Sequence, residues 1–248
     1  CIRDRIFADL LSCAVMHTDC TNARVNGESA YVYVCATPDE QKVLYFARKK
    51  KGHEGVKGTV TEDFQGVLVH DHEITFYKYG NAHQECLAHV QRYLKDSMEN
   101  EPSLTWHRKM RELIREMVHY RNEHADDAHL DPKMVSDFEG KYQEMLEKAG
   151  EEYILHEPGP YYRDGYNLYR RMQEYKTQHL LFLHDMRVPT TNNTAERCLR
   201  DYKRKQTFAM TFRSFESIEE LCQSKGVLLG VRKNNPNLYT AVKEIFNR

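Results

Sequence analysis

The 248-residue sequence is short of several things, and each shortage excludes something. No segment approaches the roughly 18 consecutive apolar residues of a membrane span. The opening Cys1-Ile2-Arg3-Asp4-Arg5 has no apolar core of a secretory leader. It begins at Cys1 rather than Met, as a piece of a longer protein would. Cysteines number seven, at irregular spacing and without a CxxC pair, which argues against a disulfide framework and for a reducing cytosol. Net charge is almost absent at −1, so the chain does not simply coat nucleic acid. Repeats and low-complexity stretches are also missing.

What is present is a soluble globular composition, 40% hydrophobic and 29% charged, sufficient for a buried core. Charge is uneven along it. Arg48-Lys49-Lys50-Lys51 is a basic run, and six bases against one acid lie between Arg197 and Arg213. A near-neutral total can hide a basic face, although a solvated surface is the usual meaning of such runs.

The first third reads as sheet. Ala14 to Asp19 is a short apolar strand. Asn26-Gly27 is a two-residue hairpin signal, followed by the aromatic and β-branched Ala30–Cys35. Pro38-Asp39 marks another turn before Val43–Ala47. Gly52 to Gly66 reads as loop and short helix, and Val67-Leu68-Val69 as a buried parallel strand. From about Gln91 helical spacing takes over. Trp106, Met110, Leu113, Met117 and Tyr120 mark one helix, and Met134, Phe138, Tyr142, Met145 and Ala149 a second. A third runs from Leu168 through Tyr175 to Met186, with Pro189 beyond it. Asn192-Asn193-Thr194 offers caps for a helix reaching about Lys205. Further helices are expected over Ser217–Lys233 and from Pro236.

Asp19 and Asp71 each end an apolar strand and share a strand face with Val15 and His17, or with Val67 and Val69. A carboxylate there is costly unless satisfied, and a divalent cation with oxygen ligands satisfies it. A turn-capping aspartate is the alternative for either residue alone. The order β-β-β-α-β makes the pair more informative, because it opens a ribonuclease H-like sheet whose first and fourth strands are neighbours. Glu196 shares a helical stripe with Arg200 and Lys203, beside an apolar face of Ala195, Cys198, Leu199 and Tyr202. An ordinary surface Glu–Arg pair is the plain alternative.

These residues carry a resemblance to the insertion-sequence sixty-six family of DDE transposases. It rests on His17-Thr18-Asp19, Arg24-Val25-Asn26-Gly27, Gly66 through Asp71, Cys86-Leu87-Ala88-His89 with Arg92, and Phe182-Leu183-His184-Asp185. The most specific piece is Val188-Pro189-Thr190-Thr191-Asn192-Asn193-Thr194-Ala195-Glu196-Arg197, continuing through Leu199-Arg200 to Lys203.

The resemblance implies an α/β, ribonuclease H-like catalytic core. In it Asp19, Asp71 and Glu196 form the metal-binding triad, with Mg²⁺ or Mn²⁺, two ions, as cofactor. Arg197, Arg200 and Lys203 would grip DNA, and Cys86 and His89 would be structural elements near the site. Residues 1–90 and 188–248 would build the core around a helical insertion at 91–187. Expected partners are double-stranded DNA, both transposon ends and target, and a second copy of the chain, in the bacterial cytosol or nucleoid. Full-length members also carry N-terminal DNA-binding and zinc-binding segments, absent from this chain. Cys20, after the first aspartate, would place a thiol near the metal site.

Two other functions stay open at this point. One is a truncated or domesticated DNA-binding module without cleavage. The other is a metallohydrolase for another phosphoester, using His17, His70 or His72 as ligands. A CxxH pair with His83 nearby is weak grounds for zinc. Arg163, Arg170 and Arg171 are further candidates for DNA contact or for a solvated face.

Overall fold

A computed structural model describes residues 2–161, 163–209 and 211–234, with isolated positions beyond. The expected helix from Pro236 lies outside the described residues. Two compact units are present: residues 1–83 with 192–248, and residues 84–191.

In the first unit, helix α1 (Ile2–Ser12) precedes the strands β1 (Val15–Val25), β2 (Glu28–Ala36) and β3 (Val43–Arg48). The turn between β1 and β2 places Asn26 at φ 49° and Gly27 at φ 87°. That left-handed pair matches the twist of the flanking strands, which is why Asn-Gly was a reliable hairpin signal. The meander is antiparallel and in register from Val25↔Glu28 to His17↔Ala36. β1 is therefore longer than the expected Ala14–Asp19. Its outer half is polar and alternating, and only the pairing with β2 makes it strand.

Two four-residue helices, α2 (His53–Val56) and α3 (Val60–Asp63), replace the single one expected before β4 (Val67–His70). β4 pairs parallel with β1, Val15↔Val67 through His17↔Val69. Gly66 lets the strand starts approach, since a Cβ there would lie 2.5 Å from the Ala14 carbonyl oxygen. The sheet is mixed, in the order β3-β2-β1-β4-β5, where β5 (Ala82–Glu85) is a short polar strand that no apolar pattern announced. The fold class is thus α/β, compatible with a ribonuclease H-like core.

Each sheet face has its own core. Met16, Tyr33, Cys35, Leu44, Phe46 and Leu68 pack with Ile6 and Leu10 of α1 and with Val56, Val60 and Phe64. The other face presents Ala23, Val32, Val34, Val43 and Tyr45 to the helices α9 (Asn193–Ala209) and α10 (Phe215–Asn234). There Ala195, Cys198, Leu199 and Tyr202 are buried, as their spacing predicts.

The second unit is helical: α4 (Leu87–Asn100), α5 (Trp106–Glu123), α6 (Pro132–Leu155), α7 (Asp164–Glu174) and α8 (Lys176–His184). Trp106, Met110, Met117, Tyr142 and Met172 are buried in it, so these residues are core. The helix expected from Leu168 to Met186 is broken at Tyr175, where φ −108° and ψ 27° leave the helical region. No proline or glycine marks the break. Arg171 before it and His179 after it both reach the buried Glu85 carboxylate. No described helix is long and apolar enough to cross a membrane.

Candidate functional site

The parallel register fixes the first relation. His17 lies opposite Val69; Asp19 stands two residues further along β1, and Asp71 is the first residue beyond the end of β4. Adjacent strands run about 4.8 Å apart. Alternation sends Asp19 to the face occupied by Ala23 and Val34, which is the face α9 covers. Asp71 is near enough for its charge to act on Asp19.

α9 brings Glu196 to that side. Its start is tied to β1 by Asn192, which is fully buried. The Asn192 side-chain oxygen lies 2.9 Å from Nδ1 of His17, and its amide donates to the Thr18 carbonyl at 3.0 Å. The Asn192 carbonyl accepts from the Glu196 backbone N–H at 3.1 Å, as an N-cap does. One residue thus links the strand carrying Asp19 to the helix carrying Glu196. The sequence offered Asn192 only as a cap; the signal available was the motif in which it sits.

The electrostatics fit a crowded set of acids. Burial pushes the Asp19 carboxyl up to about 8, with Asp71 and Glu196 adding repulsion, while the Cys20 N–H donating at 2.7 Å opposes it. The ligand oxygens of the three acids do not all come within 4.8 Å of one another. The donor set that the three acids would offer is oxygen only, the chemistry that Mg²⁺ or Mn²⁺ fits.

The histidines behave otherwise. His17 is buried, engaged with Asn192 and held down at about 4 by desolvation, so it is neutral at neutral pH. His70 turns to the opposite face, where it packs on Phe76 and Tyr77 and meets Nδ1 of His83 at 3.1 Å. His72 reaches the Tyr77 hydroxyl at 3.3 Å. No group of three metal-ligating residues containing His17, His70 or His72 occurs among the described residues. Cys20 lies opposite Tyr33 of β2 and packs on the α1 face, and the charges of Asp19 and Asp71 still act on its thiol.

Of the basic candidates, Arg200 is exposed on α9. Lys203 donates to the Asn22 carbonyl of β1, and Arg197 is ion-paired with Glu40. The basic run at 48–51 is largely engaged: Arg48 donates to the Lys57 and Ala47 carbonyls, Lys50 pairs with Glu54, and Lys51 pairs with Glu73. In the second unit Arg171 is neither solvated nor free for DNA, because Glu85 holds it. Arg163 and Arg170 are exposed. Cys86 is a buried N-cap residue of α4, its carbonyl accepting from His89 and Val90.

No curated protein matches the chain. A family model, Transposase IS66 family, matches residues 1–219. With that match running through both units and past Glu196, the chain belongs to the IS66 family of transposases.

Proposed function

We propose that this chain is a transposase catalytic core in which Asp19, Asp71 and Glu196 hold divalent metal, Mg²⁺ or Mn²⁺, for cleavage and strand transfer at transposon ends. The observation that supports the reading is the parallel pairing of β1 with β4 up to His17↔Val69, two residues short of Asp19 and Asp71, together with the charges of Asp71 and Glu196 acting on Asp19. Bound there, two ions supply activation of the attacking oxygen and stabilisation of the leaving one. The ribonuclease H-like reading follows from the same pairing.

The protein's own residues then have separable tasks. Asp19 and Asp71 hold the metal from rigid strand ends, and Glu196 from the first turn of α9. Asn192 positions that turn. Arg200 and Lys203 lie on the stripe that Glu196 begins, and bind backbone phosphate of the DNA beside the site. Arg197 does so after leaving Glu40. Hydrolysis at the element end releases a 3′-hydroxyl, which attacks target DNA, and no covalent protein intermediate is required. The helical unit at 84–191 is read as an insertion between the second and third acids, with Cys86 and His89 as structural elements at its start. Pairing of two DNA ends makes a homodimer the active form, acting in the bacterial cytosol or nucleoid.

The test is metal-dependent nicking and joining of DNA that carries the element's ends. Wild-type protein is active with Mg²⁺, and Asp71→Asn falls by ~1000-fold or more, several kcal/mol of transition-state stabilisation. Equal activity in that variant would remove Asp71 from the site.

A further inference from the structure

The helical unit contains an open cleft of about 430 Å³ between α4 and α5. Its floor is apolar, with Leu87 and Ile114. Its walls carry Gln91, Arg111 and Arg115, and Thr190 stands at the rim. Among the described residues no carboxylate lines it. The rim is fixed, because the Leu87 N–H donates to the Thr190 carbonyl at 3.0 Å.

Two polar atoms at this cleft are buried without a hydrogen-bond partner: Nε of Arg111 and Oε1 of Gln91. The Gln91 amide is oriented by donating to the Arg111 carbonyl at 3.0 Å, so its oxygen is fixed in place. A buried guanidinium N–H without an acceptor and an amide oxygen without a donor are both costly. Their needs are complementary: an anionic oxygen for Arg111 and Arg115, and an N–H or O–H for Gln91. Over an apolar floor, the ligand must be amphipathic, with an anion at one end and a flat or apolar body carrying a donor. A cleft of this size falls in the range of small-ligand sites and is too small for a duplex.

We infer that this cleft binds one unpaired nucleotide of a DNA strand, its phosphate on Arg111 and Arg115 and its base over Leu87 and Ile114 with a donor to Gln91. The choice of DNA over another nucleotide polymer rests on the proposed function; the cleft's chemistry does not. The proposed contacts use none of the three acids and need no metal.

Binding of a fluorescein-labelled single strand of about 12 nucleotides to the full chain, followed by anisotropy in EDTA, tests this. Arg111→Gln and Arg115→Gln should each weaken binding about tenfold and lower the slope of log affinity against log salt by ~0.7. Gln91→Leu should weaken the single strand but not inorganic polyphosphate. Arg115 is exposed, so its variant folds even if Arg111→Gln does not. Unchanged affinity and slope in Arg115→Gln overturn the proposal. So does equal binding of a blunt duplex, or polyphosphate binding as tight as the oligonucleotide. Asp71→Asn should bind the strand normally. Cleft-dependent binding by a wild-type protein that never cleaves would defeat the proposed function and leave the cleft standing.

Discussion

Two carboxylates, one in each unit, are treated in opposite ways. Glu85 in the helical unit is fully buried and surrounded by compensation. Arg171 pairs with it, Nε2 of His179 lies 3.2 Å away, and the Tyr142 hydroxyl lies 2.7 Å from Nδ1 of the same histidine. Asp19 in the sheet unit is half-buried, and its charged neighbours include Asp71 and Glu196, which repel it. A charge used for structure is neutralised by the protein itself. One left among like charges needs something from outside, and here that is the proposed metal.

Breaking the structural side of this contrast should have the largest effect on stability. Glu85→Ala strands Arg171 in the interior and should destabilise the fold by ~3–5 kcal/mol, read from denaturant unfolding. If the loss is under about 1 kcal/mol, the Glu85 network is not the keystone that the broken α7–α8 helix suggests.

Asn192→Ala should cost less, about 1–3 kcal/mol, by leaving Nδ1 of His17 and the Thr18 carbonyl without their partner. Its diagnostic is a drop in cleavage larger than the stability loss explains, with Mn²⁺ concentration dependence shifted upward. Normal metal dependence would reduce Asn192 to a core amide.

A third effect should have the opposite sign. A carboxyl whose folded pKa is about 8, against about 3.8 unfolded, contributes stability below about pH 4 and loses it as pH rises to about 8. Metal-free wild-type protein should therefore weaken across that window. Asp19→Asn, permanently uncharged, should be more stable than wild type at pH 8 in EDTA, and inactive with Mg²⁺. A variant less stable than wild type under those conditions would show that Asp19 has its compensation within the protein.

Some elements could be read directly. Asn26-Gly27 demands left-handed backbone, so it announces its own turn. Ala195, Cys198, Leu199 and Tyr202 at helical spacing announce the buried face of α9. Others could not. Helix α1 has the apolar pair Ile6 and Leu10 one turn apart, too short a stripe to stand out. β5 is polar, and only its neighbour makes it a strand. The break at Tyr175 has no local cause, because Glu85 lies some ninety residues away in the chain.

What bears on Asp19, Asp71 and Glu196 divides in the same way. Residue types, the alternation along each strand and the motif from Val188 to Lys203 depend on nearest-neighbour chemistry and periodicity, so the sequence by itself determined them. Whether β1 pairs with β4, whether Asn192 ties the α9 start to β1, and which way Cys20 and His70 point depend on pairing register between distant segments. A shift of one residue would reverse every face. Only the tertiary structure decided those, because register is set by the burial of a whole sheet and not by any local run.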